Sequence, residues 1–360
     1  MLKFFKKRRW NEYSNLQADS GKLKKMCAFK KEDLKVGVVG LGKMGLLHSS
    51  IINVLPNVQL VAICDKSWLM RKLAKKLFKE SIITDDVSGL DGLGLDAVFI
   101  TTPIPSHYNI IKEVYAKNIT NNIFTEKTLS STYAKSKELY ELSQKNKGLT
   151  AVGYMKRFSV TFRKAKELIT QGILGKLLSF EAYAYSSDFV EVPKGSFVSG
   201  ARGGALEDLG SHAVDLALLF FGDLTMKSAR IESRFSSASI DCAHFEVNGF
   251  DDLIGKFAVS WCEEGYRMPE FRLVVVGVNG VLSVDDSALK LELKNCEQGR
   301  IWYRQDLDDS VNFSLGDSEY FREDVSFFQS LVGNISVESN FQTALKVDFL
   351  LEEVKRIANV

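Results

Sequence analysis

Lys35–Asp65 reads KVGVVGLGKMGLLHSSIINVLPNVQLVAICD, and its punctuation decides the fold. Lys35–Gly40 is a short apolar run of the kind that forms a buried strand. It runs straight into Gly40-Leu41-Gly42-Lys43-Met44-Gly45, after which Leu46, Leu47, Ile51 and Val54 recur at helical spacing as far as Pro56. Val58–Asp65 then reads as a second strand. The G-x-G-x-x-G therefore sits between strand and helix inside a βαβ unit, the context that makes it a dinucleotide fingerprint. Gly40 permits the tight turn, Gly42 lets the backbone approach a pyrophosphate, and Gly45 lets helix and strand pack closely. The helix N-terminus turns its unpaired N–H groups to the phosphates, with Lys43 and Met44 in the same first turn. Asp65, at the end of the second strand, is placed to accept from both ribose hydroxyls and to repel a 2′-phosphate. NAD is expected, with NADP the less favoured cofactor.

The alternation continues. Strands are predicted at Ala97–Thr101, Asn122–Thr125 and Leu149–Tyr154, and helices at Ser106–Lys117 and Thr132–Asn146. Such a pattern implies a doubly wound parallel sheet, a Rossmann domain over 34–154. Ligands bind outside the carboxyl ends of such strands, which points to Thr102, Pro103 and His107 after one strand, Glu126 and Lys127 after the next, and Arg157 after the last. Ser106 is suited to cap its helix. His107 either lines the cofactor pocket or simply ends a loop. Arg157 either meets an anionic group of substrate or cofactor or is a solvated loop arginine.

Beyond residue 154 the period changes. Leu178–Tyr185, Ser228–Phe235, Ala243–Val247, Gly255–Trp261 and Phe271–Val278 read as strands, and Asn279-Gly280 is a hairpin signal. A largely antiparallel, open-faced sheet in an α+β domain over 155–360 is expected, with closing helices at Tyr320–Leu331 and Thr343–Ile357 that pack back on the first domain. The exposed sheet face invites self-association, as a homodimer or homotetramer. Gly195–Gly204 is rich in Gly and Ser and reads as either a mobile loop over the substrate or a plain turn cluster.

Composition narrows the function. The chain has 360 residues, 45% apolar and 26% charged, so it folds a sizeable core. No run of about 18 apolar residues is present, so no membrane span is expected. Residues 1–31 carry a net +8 and the rest a net −6. The basic segment 1–33 is expected to be a flexible leader, with a weak contact to an anionic surface as the sharper reading; Met26 is an alternative start. The mildly acidic body argues against nucleic acid as a partner. Five cysteines without a C-x-x-C pair fit free thiols in a reducing, cytoplasmic setting. Four scattered histidines give no metal site.

Four features together resemble the Gfo/Idh/MocA family of NAD(P)-dependent sugar oxidoreductases, named for glucose–fructose oxidoreductase, inositol dehydrogenase and a rhizopine-catabolism protein. These are the fingerprint with Asp65, Thr102-Pro103 followed by His107, Glu126-Lys127, and Gly203-Gly204-Ala205-Leu206-Glu207-Asp208-Leu209-Gly210-Ser211-His212-Ala213-Val214-Asp215. The second resembles the family's T-P-x-x-x-H, the third its E-K-P, the fourth its G-G-x-x-x-D-x-G-x-H-x-x-D. Thr128 departs from the pattern, standing where the family has proline.

Oxidising a secondary alcohol needs a hydride acceptor, a base for the hydroxyl proton and positive charge for the developing alkoxide. The resemblance implies that His212 is the base and that Lys127 contacts the reacting hydroxyl. Asp208 and His212, four apart, share one face of a helix, so Asp208 is placed to orient His212. A lysine beside a buried histidine lowers the pKa of both, which favours a neutral His212. Lys127, Arg157, Asp208 and His212 are the expected substrate contacts, the substrate being a sugar, cyclitol or nucleotide sugar. Asp215 lacks companion ligands for a metal and is expected to be structural. Two other functions remain open on the same scaffold, a dinucleotide-sensing regulator without turnover and an NAD-recycling glycosidase.

Overall fold

The computed structural model describes residues 33–188, 190, 203–234, 240–266, 268–307 and 318–359. The basic segment 1–32 and most of the Gly195–Gly204 stretch lie outside them.

The first sheet is built from β1 (Leu34–Val39), β2 (Val58–Cys64), β3 (Ile82–Thr84), β4 (Ala97–Ile100), β5 (Ile123–Glu126) and β6 (Thr150–Gly153). Its order is β3-β2-β1-β4-β5-β6, with every pairing parallel. This is the doubly wound arrangement in which the strand order reverses between β1 and β4, and a crevice opens at their carboxyl ends. Helices α1 (Lys43–Val54), α2 (Trp68–Leu77), α3 (Ile104–Ala116) and α4 (Tyr133–Asn146) make the crossovers. Strands β4 and β5 are buried along their whole length, as strands covered on both faces must be.

After a short turn at Met155–Phe158 come α5 (Val160–Thr170), β7 (Leu177–Tyr185) and α6 (Ser211–Phe221). The second sheet then adds β8 (Thr225–Glu232), β9 (Cys242–Asn248), β10 (Ile254–Ser260), β11 (Glu270–Gly277), β12 (Gly280–Asp285), β13 (Ala288–Leu293) and β14 (Arg300–Tyr303). Its order is β14-β13-β12-β11-β7-β10-β9-β8, antiparallel except where β7 meets β10. One face, carrying Phe180, Ala182, Phe245, Phe257, Phe271 and Leu273, joins the core that surrounds α6. The opposite face carries Glu181, Tyr183, Tyr185, His244, Glu246 and Lys256 around a shallow concavity of about 500 Å³.

The last two helices, α7 (Ser318–Gly333) and α8 (Phe341–Ile357), return to the nucleotide domain. Phe327 and Phe328 of α7 pack against Phe99 of β4, and Phe327 also meets Phe124 of β5. Helix α8 lies along α4, where Asp348 accepts from Ser136 Oγ at 2.5 Å while its Oδ1 is buried without a partner. Burial pushes the Asp348 carboxyl up to about 7. Between about pH 4 and that value the folded protein holds a proton that the unfolded chain has released, so this group's contribution to stability falls as pH rises. Asp348→Asn removes the titration. The stability difference between variant and wild type, from denaturant titrations, is expected to grow by about 1.4 kcal/mol per pH unit across that window and then level off; a difference independent of pH would contradict the assignment.

Candidate active site

The cofactor cradle lies at the carboxyl ends of β1, β2 and β4. Gly40 adopts φ +96°, and a Cβ there would sit 2.7 Å from Thr102 Cγ2. At Gly45 a Cβ would lie 1.9 Å from the Gly40 carbonyl oxygen, so helix and turn touch at a distance that only glycine allows. Gly42 faces open space and is the N-cap of α1 without a side-chain cap, leaving the first N–H groups of the helix available to phosphate oxygens. Asp65 is pinned by Leu41 N–H on Oδ2 at 2.6 Å and by Ser67 N–H on Oδ1 at 2.7 Å. Each oxygen keeps a lone pair for a ribose hydroxyl. These residues fit a dinucleotide, with Lys43 and Met44 in the same turn.

Behind the next loop, His107 is fully buried. Its ring nitrogens meet the carbonyl oxygens of Thr128 at 2.9 Å and Thr102 at 2.7 Å. The imidazole thus ties the Thr102-Pro103 loop to the segment after β5 and presents no polar atom to a cofactor; of the two expectations for His107, the structure favours the loop role. The Lys127–Thr128 peptide is cis although Thr128 replaces proline. Glu126 points inward. Its Oε1 meets His48 Nε2 at 3.1 Å, and its Oε2 accepts from the Lys127 N–H at 3.2 Å. His48 reaches on to Asp324 of α7 at 2.8 Å. Burial opposes a charge on His48, but Asp324 and Glu126 together outweigh it and raise its pKa well above the usual imidazole value. The carboxylate of Glu126 therefore braces the lysine loop from within, a different place from the direct cofactor contact expected of it.

Lys127 Nζ crosses to the second domain and donates to Asp208 twice, to Oδ1 at 2.7 Å and to the backbone oxygen at 2.6 Å. Here the structure corrects a sequence expectation. Leu206–Gly210 is a π-helical turn, not part of a regular α-helix. Its wider turn breaks the i, i+4 register, so Asp208 swings to Lys127 and does not hold His212. His212 is buried at the start of α6 with Nδ1 lacking a hydrogen-bond partner. Its ring stands edge-on to Tyr154 (6.0 Å) and Phe271 (5.3 Å). Burial, then the charges of Lys127 and Lys156, hold its pKa well below the usual value, so it is neutral.

Residues 34–154 match the family model described as an oxidoreductase family with an NAD-binding Rossmann fold, and residues 162–283 match that of the GFO/IDH/MocA C-terminal domain. The chain belongs to the Gfo/Idh/MocA family. Among curated members it is 27% identical over 194 residues to scyllo-inositol 2-dehydrogenase (NAD(+)) of Bacillus subtilis (strain 168), covering 53% of this chain and 55% of that one. It is 24% identical over 213 residues to myo-inositol 2-dehydrogenase of Thermotoga maritima, covering 58% and 59%. The chain thus spans little more than half the length of these relatives. Levoglucosan dehydrogenase, solved with NADH and levoglucosan, shares the fold at a TM-score of 0.82 and 20% identity over 91% of this chain and 98% of that one.

Within this Gfo/Idh/MocA scaffold Arg157 falls elsewhere than expected. It is neither solvated nor aimed at a ligand. Its Nε and Nη2 form a two-pronged pair with Asp215 at 2.7 and 2.6 Å, and Nη1 donates to the Glu338 carbonyl oxygen. Ser106 also departs from its reading. Its hydroxyl donates back to the Pro103 carbonyl oxygen, and Pro103 itself stands at the cap position of α3.

The sequence reading passed over Lys156 and His48. Lys156 is buried beside Phe271, 5.0 Å from its ring centroid, and pairs with Asp286 at 2.7 Å and Glu319 at 3.5 Å. It follows β6 at the ligand end of the sheet, so position alone marked it as well as its neighbour Arg157; which of the two turns inward to Asp215 is set by the short turn. His48 lies three residues past Gly45 on the buried face of α1, a signal hidden by the apolar pattern around it. Removing Arg157 strands the buried Asp215 charge. Arg157→Ala is therefore expected to cost about 3–5 kcal/mol in denaturant unfolding, and a variant as stable as wild type would show the pair to be dispensable.

Proposed function

We propose that this chain is an NAD-dependent dehydrogenase that oxidises a secondary hydroxyl of a polyol, whether a sugar, a cyclitol or a nucleotide sugar. The observation that carries the reading is a neutral, buried His212 set beside the Lys127–Asp208 pair at the carboxyl end of β5, across from an NAD-binding cradle. NAD, when bound, supplies the carbon that accepts the hydride. The chain's own residues do the rest. His212 takes the hydroxyl proton, since a base must be unprotonated before it acts. Lys127, aimed by two bonds from Asp208, offers a fixed positive charge to the developing alkoxide. Lys156, anchored by Asp286 and Glu319, keeps a second cation near the imidazole. The names of the inositol dehydrogenases and of levoglucosan dehydrogenase support a polyol as substrate.

Two further parts belong to the proposal. The open face of the second sheet, with Tyr183 stacked on Tyr185 and mixed charges from Glu181, Glu246 and Lys256, seats a second copy in a homodimer or tetramer. The free thiols of Cys64, Cys242, Cys262 and Cys296 suit a reducing cytoplasm. Among the described residues no helix is long and apolar enough to cross a membrane, and no group of His, Cys, Asp and Glu is placed to hold a metal.

Fluorescence titration is expected to show NADH binding more tightly than NADPH, with the preference lost in Asp65→Ala. Failure of folded protein to bind either would end the dehydrogenase reading. With a turned-over polyol in hand, His212→Asn and Lys127→Met are expected to lower kcat by about 10²–10⁴-fold. The acid limb of the kcat/KM profile should lie below the ordinary histidine value of about 6.5, because the depressed pKa leaves His212 unprotonated further into acid. Lys156→Gln removes one of the depressing charges, so that limb moves to higher pH. An unmoved limb would show that another group is the base.

A further inference from the structure

The Lys127–Asp208 pair has a support on each side, and both supports come from one face of one helix. Asp348 and Lys355 of α8 stand two helical turns apart, so their side chains leave the helix in the same direction. On the Lys127 side, Asp348 accepts from Ser136 Oγ, Ser136 Oγ meets Ser130 Oγ at 2.8 Å, and Thr128 Oγ1 donates to the Ser130 carbonyl oxygen at 3.0 Å. Thr128 is the residue after Lys127. On the Asp208 side, Lys355 Nζ pairs with Oε1 of Glu207, the residue before Asp208. Thr128, Ser130, Glu207, Asp348 and Lys355 line one small crevice of about 20 Å³ where the helix meets the two segments.

Glu207 depends on that lysine. Its side chain lies back beneath Gly203 and Gly204, which adopt φ +84° and +125°. A Cβ on Gly204 would sit 3.2 Å from Glu207 Oε2, and one on Gly203 would sit 3.1 Å from Glu207 Cβ. The carboxylate occupies space that the two glycines leave. Its Oε2 is buried and has no hydrogen-bond partner among the described residues. The Glu207 side chain is only 12% exposed, whereas Lys355 reaches water with 32% of its own. A largely buried carboxylate keeps its place only while its charge is paired. Without Lys355, Glu207 is drawn toward water, and the Leu206–Gly210 turn moves with it.

We propose that α8 clamps the reacting pair, and that Lys355 is a positioning residue which, through Glu207, keeps the π-helical turn in the form that aims Asp208 at Lys127. The hold on the turn stands by itself; its consequence for catalysis rests on the dehydrogenase reading. Asp208 gives Lys127 both of its acceptors from this turn. When the turn slackens, the ammonium loses them together and leaves its place beside His212 and the developing alkoxide. Lys355 takes no part in the chemistry, and a second cation of similar reach can replace it.

Two measurements on the full chain separate the hold from its consequence. The first is amide hydrogen exchange. Ala205 N–H donates to the Ile240 carbonyl oxygen at 2.7 Å, and Asp208 N–H to that of Gly204 at 2.9 Å. In Lys355→Met both amides are expected to exchange at least about tenfold faster, while those of β1 and β4 keep their wild-type rates. Unchanged exchange overturns the proposal, whether or not a substrate is known. The second is kinetic, with a polyol that wild type turns over. Lys355→Met is expected to lower kcat about tenfold or more and to leave NADH affinity and the KM for NAD unchanged. The acid limb of kcat/KM moves to higher pH, because Lys127 no longer depresses His212. Lys355→Arg restores both rate and limb; an arginine variant no better than methionine overturns the proposal. So does a Lys355→Met enzyme that is less stable but keeps the wild-type kcat and limb. Glu207→Ala, which strands no buried charge, is expected to give the same faster exchange and lower kcat, and serves if Lys355→Met does not fold; wild-type values there count equally against the clamp. A wild type that neither binds NADH nor turns over a polyol ends the dehydrogenase reading and leaves the exchange result to decide the clamp.

Discussion

A lysine and an aspartate 81 positions apart meet at 2.7 Å, and the arrangement of the site depends on that meeting. Lys127 comes from the end of β5 in the first domain; Asp208 comes from the π-helical turn that opens α6 in the second. Their side chains are only 15% and 17% exposed. Such a pair is a poor source of net stability, because stripping water from both charges costs about as much as their attraction returns. What it supplies is direction. Two acceptors on one residue fix where the ammonium points, and the irregular turn is what brings both within reach. A regular helix would have sent the carboxylate toward His212 and left Lys127 unaimed.

The rest of the site is arranged around that fixed cation. Glu126, the residue before Lys127, is held by His48, and His48 by Asp324, so the lysine loop is braced by a chain of buried charges that ends on α7. His107 links the same loop, at the Thr128 carbonyl oxygen, to the Thr102 carbonyl oxygen after β4. The imidazole of His212 lies among aromatic edges, near two lysines and with an unpartnered Nδ1. Its neutrality follows from burial and like charge, without a carboxylate to steady a proton on it. This differs from a triad, in which an acid holds the base in one tautomer.

Much of this was legible in the residues, for physical reasons that also mark the limit. The parallel sheet showed itself because buried strands leave continuous apolar runs, and because Gly40 and Gly45 occupy positions whose geometry no other residue satisfies equally well. The open-faced sheet showed itself through alternation, which records one dry face and one wet face. Pairing was harder. Asp208 and His212 look like partners when counted at helical spacing, and one widened turn defeats the count. Arg157 and Lys156 are adjacent and chemically alike in charge, so nothing local says which of them finds Asp215. His48 looks like an interruption in an apolar helix until Glu126 and Asp324, 78 residues and 276 residues away, close around it. Long-range polar contacts leave no periodicity behind them.

The aromatic stack between the nucleotide sheet and α7 sets an order of events during synthesis. Phe99 and Phe124 belong to β4 and β5, made early; Phe327 and Phe328, which cover them, are made late. Until α7 leaves the ribosome, the sheet that holds the dinucleotide keeps one aromatic flank uncovered, and the buried His48 lacks Asp324. The nucleotide domain therefore comes first in the chain yet is completed last. Its completion waits on α7, which the chain supplies only after the whole second sheet.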